Sequence, residues 1–144
     1  MKIANTRDTL SSIYLDAIRL RHEVFMVEQK VPVEIEIDEN EAFCVHFVLY
    51  DENDMAKATC RLFPNNEDLA TIQRLAVLKP YRSEGLDLIL LKEIELFATN
   101  NEFSRIELHV QLSDQELYEK HGYVPFGKEF IENNVLHIAM AKEL

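Results

Sequence analysis

Apolar positions recur at helical spacing from the first turn of the chain. Leu10, Ile13, Tyr14, Ala17 and Ile18 share a stripe with Arg21, which predicts a helix over about residues 8–21. "RHEVFMVEQK" continues as a second helical piece that stops before Pro32. The acidic "VPVEIEIDENEA" carries no stripe and reads as an irregular loop lying over a pocket. "FCVHFVLY" and "AKATCRLF" then flank the polar "DENDM", which predicts a β-hairpin, and "ATIQRLAVL" is a third strand ended by Lys79 and Pro80. After Gly85, the residues Leu86, Leu90, Ile94 and Phe97 fall on one helical face, closed by Asn100-Asn101. "RIELHVQL" is the next strand. Ser113 and Glu116 have capping-box spacing for a short helix, and Gly122 suits its left-handed end. "YVPFGKEFI" and "VLHIAMAKE" flank Asn133-Asn134 as a second hairpin.

The order β-α-α-β-β-β-α-β-α-β-β results. Strand, helix and strand over 70–112 require a right-handed crossover between parallel neighbours, whereas the hairpins are antiparallel. The expectation is one domain over 1–144, an α/β fold with a mixed, mostly antiparallel, twisted sheet and helices on both faces. Ligands in such sheets favour the carboxyl ends of strands, where Pro80 to Asp87 lies. If the first hairpin turns symmetrically about Glu52-Asn53, His46 faces Thr59, Cys44 faces Arg61, and His46 and Arg61 share a sheet face.

Composition narrows the function classes. Net charge is −11, with 26 acidic against 15 basic side chains, and no basic stripe is present to meet nucleic acid. No apolar run reaches the ~18 residues of a membrane span, and the first residues lack the apolar core of a secretory signal, so the cytoplasm is the default compartment. Two cysteines, Cys44 and Cys60, are too few for a disulfide framework, and five scattered histidines form no ligand cluster, so no metal is expected.

Five segments in order resemble the GNAT acetyltransferase superfamily, and within it the ElaA-like branch. They are Arg21, Phe25, Glu28 and Gln29 with Pro32, Glu36 and Asp38; His46; Arg61; "IQRLAVLKPYRSEGLD"; and the closing run with Tyr118, Gly122, Tyr123, Gly127, Phe130, His137 and Met140. The resemblance implies an acyl-CoA N-acyltransferase fold and transfer of the acetyl group of acetyl-CoA to a primary amine by direct attack. It assigns cofactor contacts to the backbone of Leu75, Ala76 and Val77 and to the loop Arg82, Ser83, Glu84, Gly85, Leu86 and Asp87. It makes Tyr118 the proton donor to the leaving thiolate, and places the acceptor among Arg21, Phe25, Glu28, Gln29, Arg61 and His137. Oligomeric state stays open, with a homodimer as one option.

Two departures set a second reading beside the first. Asp87 stands where the superfamily loop has a small residue, and Ser83 replaces a frequent glycine. A helix N-terminus presents orphan amides and about +0.5 charge to an anion, but a carboxylate in its first turn can fill the same positive end. The alternative is therefore a non-catalytic binding protein whose acetyl-CoA site is degenerate. Glu28, Glu36, Asp38, His46 and His137 are the candidates for a general base, with His46 and Glu36 carried forward; a lone strand histidine is also a common core residue, and Arg61 has Glu28 or Glu36 as a structural partner.

Overall fold

In the computed structural model, which describes residues 1–144, seven strands form one sheet in the order β1-β2-β3-β4-β5-β7-β6. They are β1 (Lys2–Thr6), β2 (Val45–Tyr50), β3 (Ala56–Pro64), β4 (Leu69–Val77), β5 (Arg105–Gln111), β6 (Val124–Glu132) and β7 (Val135–Glu143). Only β4 and β5 run parallel, joined through α3 (Leu86–Asn100). Every other pair is antiparallel, as the expected mixed sheet requires. The main core lies on the α3 face. Leu86, Leu90, Leu91 and Ile94 pack there on Phe47, Leu49, Cys60 and Leu62, joined by Tyr118 from α4 (Gln115–Lys120). On the opposite face α1 (Ser12–Arg21) sets Ala17 and Leu20 against Val48 and Tyr50. Both cysteines are free and buried.

Ser11 caps α1 by accepting a hydrogen bond from the Tyr14 amide at 3.2 Å. The helix does not end at Arg21 but widens into a π-helical segment, His22–Glu28. The acidic stretch expected to be irregular holds a one-turn helix, α2 (Val33–Glu36), with its pattern inverted: Glu36 is buried while Val33, Ile35 and Ile37 are exposed. A stripe search that counts acids as outward-facing misses such a turn.

The first hairpin also corrects its expected register. Its turn is asymmetric, because the Asp51 carboxylate accepts from the Asn53 and Met55 amides and the ladder shifts between Leu49 and Tyr50. His46 therefore faces Arg61, and Thr59 faces Val48. The slip is two residues, so the shared face of His46 and Arg61 survives; a slip of one would have reversed it. Asn133 and Asn134 turn the second hairpin with φ of 51° and 62°, as the sequence predicts. The expected Ser113–Glu116 capping box is absent. A 3-10 turn at Leu112–Asp114 runs directly into α4, so Ser113 never takes the cap position.

Candidate functional site at the strand fork

β4 and β5 pair only from Leu69–Arg105 to Thr71–Glu107 and then part. From Ile72 onward β4 has no strand on its β5 side, which leaves the backbone of Leu75, Ala76 and Val77 along an open edge. A bulge accompanies the divergence. The β3–β4 register shifts between Thr59 and Arg61, and Arg74 sits at φ 55°. Its side chain anchors the bulge to the α2 segment, donating to the Ile35 and Glu36 carbonyls and to Asp38 at 2.9, 3.2 and 3.2 Å.

The fork leads to a 3-10 turn, Lys79–Glu84, then to Gly85 at φ 71° and the start of α3. The backbone reversal needs a residue at home with positive φ, and Gly85 supplies it. No side chain caps α3, and the carboxylates of Glu84 and Asp87 take no hydrogen bond from its amides. The helix therefore has not filled its own positive end. Asp87 acts through its field instead. Burial raises the Tyr118 phenol and the Asp114 carboxyl above their ordinary ranges, and the charge of Asp87 adds to both.

Tyr118 itself is 5% exposed and packs edge-on against Tyr123 at 5.8 Å. Its hydroxyl has no hydrogen-bond partner in the chain. The sealed, unpartnered side-chain atoms are Glu36 Oε2 and His46 Nδ1, so the phenolic oxygen keeps some contact with solvent.

Two of the residues expected to line an acceptor pocket, Arg21 and Arg61, belong instead to a closed ionic cluster. Glu41 is its hub and was not singled out from the sequence. Its carboxylate accepts from the Tyr14 hydroxyl at 2.9 Å, from Arg21 Nη1 and Nη2 at 2.8 and 2.9 Å, and from Arg61 Nη1. Arg21 Nε donates to Glu36 at 2.6 Å, and Arg61 donates to Asp38 at 2.9 and 2.8 Å and to Gln73 at 3.0 Å. With Arg74 the cluster holds three arginines and three carboxylates, so its formal charge cancels. Arg21 and Arg61 are each 1% exposed. They tie α1, the α2 segment and β3 together and do not line a pocket, which corrects that expectation, including the pairing of Arg61 with Glu28 or Glu36.

His46 and Glu36 require the same correction. A general base must come within hydrogen-bond reach of the proton it removes. His46 is 0% exposed and donates from Nε2 to the Glu41 carbonyl at 2.8 Å, so its unpartnered Nδ1 is the acceptor nitrogen. Burial lowers its pKa and keeps the ring neutral. Glu36 is 2% exposed, with one oxygen on Arg21. Both are interior members of the cluster. His137 is also largely buried, its Nδ1 on the Val135 carbonyl and its ring stacked on Phe130. Phe25 is half-buried, while Glu28 and Gln29 remain in solvent, and Glu28 pairs with Arg82.

The cluster predicts acid sensitivity. Hydrogen bonds from Arg61 hold Asp38 down at about 2; burial alone would raise Glu41, but Arg21, Tyr14 and Arg61 outweigh it and lower its pKa. Groups depressed on folding stabilise fully above their unfolded values, about 3.9–4.3, and lose that contribution as pH falls through the folded ones. The melting temperature is expected to fall steeply from about pH 4 towards pH 2. A Glu41→Gln variant should show a shallower fall, and an equal slope in the two proteins would remove the cluster as its cause.

Two surface concavities, about 530 and 410 Å³, flank α1, the first along Leu10 and Leu15 and the second between Asp16, Tyr50 and Leu78. Neither includes the fork, which is defined by where two strands part. No group of histidine, cysteine or acidic side chains is arranged to hold a metal, and no helix is long and apolar enough to cross a membrane.

A mixed sheet split between its two parallel strands, with a glycine-led helix start below the split, defines the acyl-CoA N-acyltransferase architecture. The comparisons agree. A family model described as an acetyltransferase (GNAT) domain matches residues 16–144. The uncharacterized N-acetyltransferase YjcF of Bacillus subtilis is 37% identical over 130 residues, 89% of this chain and 91% of that protein. The crystal structure of a putative N-acetyltransferase from Lactobacillus plantarum superposes with a TM-score of 0.91 at 29% identity, over 99% of this chain and 97% of that one. That of Escherichia coli ElaA gives 0.85 at 25% identity, over 99% and 100%. The chain belongs to the GNAT acetyltransferase family, within its ElaA-like branch.

Proposed function

We propose that this chain is an N-acetyltransferase that moves the acetyl group of acetyl-CoA to a primary amine by direct attack. The observation that carries the reading is the uncapped start of α3, directly below an unpaired β4 edge and close enough to Tyr118 for the charge of Asp87 to be felt there. The open edge at Leu75, Ala76 and Val77 offers peptide groups to the pantetheine arm. The unpaired first-turn amides of α3, from Leu86, with the loop Ser83 to Gly85 and Arg82, meet the diphosphate.

In the reaction the neutral amine forms a C–N bond to the thioester carbonyl as the C=O pair moves to oxygen. Collapse of the adduct breaks the C–S bond, and Tyr118 gives its proton to the departing sulfur. The proton lost from nitrogen passes to water, and the phenol is restored from solvent. Its raised pKa keeps Tyr118 protonated at neutral pH, as a donor must be. Neither His46 nor Glu36 takes part in this sequence.

The test is thiol release from acetyl-CoA against a panel of primary amines. Turnover above the no-acceptor rate supports transfer, and a flat panel without detectable cofactor binding favours the second reading, a GNAT-fold binding protein with a degenerate acetyl-CoA site. Asp87 is the observation behind that alternative, and it yields its own prediction. Asp87→Asn keeps the side-chain shape and removes the charge facing the diphosphate, so CoA should bind about three- to ten-fold more tightly by calorimetry, given the reach of a partly screened charge. An unchanged affinity would show that the Asp87 carboxylate does not oppose the cofactor.

A further inference from the structure

Arg82 is held at all three nitrogens without any ligand. Nε donates to the Val77 carbonyl at 2.9 Å, and Nη1 and Nη2 each donate to a different oxygen of Glu28 at 2.6 Å. Glu28 ends the π-helical segment on the α1 side, and Arg82 lies in the 3-10 turn between β4 and α3, so one bidentate pair spans 54 residues and ties the α1 side to the turn that leads into α3. The side chains are 39% and 32% exposed. The Glu28 carboxyl is held below its ordinary range, first by the hydrogen bonds from Arg82 and further by the charges of Arg82 and Lys79.

We propose that this pair is an exchangeable latch: Glu28 occupies Arg82 until the cofactor's diphosphate takes the guanidinium, and the released carboxylate then becomes the seat for a cationic acceptor amine. The proposal rests on the cofactor reading given above. A guanidinium offers one planar fork, and carboxylate and phosphate compete for it with the same geometry. A half-exposed carboxylate–arginine pair is weak enough to be displaced by a diphosphate that also gains backbone amides. By linkage, whatever Glu28 contributes to holding Arg82 opposes cofactor binding by the same factor. Glu28 is thus a positioning residue that couples the two substrates. An anionic side chain freed beside the loop selects an ammonium group over a neutral or acidic acceptor, and the seated ammonium gives one proton to water before the neutral amine attacks.

The experiment is calorimetric titration of the full chain with CoA, for wild type, Glu28→Gln, Arg82→Gln and the double variant. Glu28→Gln is expected to tighten CoA binding by about two- to five-fold, the range for a partly exposed ion pair, and to do nothing in the Arg82→Gln background. A second titration uses n-butylammonium as the cationic probe. It should bind the CoA-saturated wild type more tightly than the CoA-free protein, and Glu28→Gln should abolish the difference. Unchanged or weaker CoA binding by Glu28→Gln, or probe binding indifferent to CoA, overturns the latch. Absence of CoA binding by every protein, wild type included, overturns the cofactor reading instead. Glu28 lies at the surface, so an unaltered melting temperature in Glu28→Gln separates these effects from misfolding.

Discussion

Glu41→Ala is expected to destabilise the protein by about 3–5 kcal/mol, the cost of leaving buried charge without its partner. The substitution strips Arg21 of the acceptor for Nη1 and for one of the two bonds of Nη2, strips Arg61 of one bond, and leaves the Tyr14 hydroxyl without its acceptor. Both arginines are 1% exposed, so water cannot replace what is lost without opening the face between α1 and β3. Equilibrium urea unfolding measures the effect. A loss below about 1 kcal/mol would mean that the cluster relaxes around a water-filled gap and that Glu41 is not its hub. The size of the loss says little about whether the cluster is favourable as a whole, because buried ion pairs are costly to break and often close to neutral against an apolar replacement. Its effect on the site is to fix the α2 segment and, through Arg74, the β4 bulge beside the fork.

Tyr118→Phe is expected to lower kcat by about 10²–10³-fold, within the range for loss of a positioned proton donor, with CoA affinity unchanged. The design of the variant follows from the structure. The phenyl ring keeps its packing on Tyr123, and the hydroxyl has no hydrogen-bond partner to orphan, so stability should barely move. Loss of rate with intact folding and intact cofactor binding isolates the proton transfer. A variant with wild-type kcat would assign the thiolate's proton to water and return Tyr118 to the role of a core aromatic between α4 and the sheet.

Much of the architecture was legible from periodicity. Six of the seven strands, the α3 helix, the Asn133-Asn134 hairpin turn and the left-handed Gly122 follow from local pattern, because each rests on interactions within a few residues, whereas no pattern marks β1. What the pattern hid are features made by distant partners or by broken rules. Glu36 looks like a surface acid in a loop, yet it points inward because Arg21, 15 residues earlier, receives it. Arg61 reaches Asp38 across 23 positions and Glu41 across 20, separations with no periodic signature. The Arg74 bulge interrupts a run that reads as a continuous strand, although that interruption accompanies the parting of β4 from β5.

At the candidate site, resemblance points to the loop and the tyrosine, while the charges around them depend on the fold. Asp87 could have capped α3 or faced solvent, and its sequence position is equally compatible with both. The structure leaves the helix uncapped and puts the carboxylate's field on Tyr118 and Asp114. Likewise Arg82 and Glu28 both read as ligand-binding residues, and only the fold reveals that each is the other's partner.

Diphosphate binding at the uncapped start of α3 is the central claim, and titration of the wild-type chain with acetyl-CoA measures it directly. One equivalent bound with a dissociation constant in the micromolar range is the predicted result. No detectable binding at millimolar acetyl-CoA, in a protein whose thermal unfolding is cooperative, would contradict it.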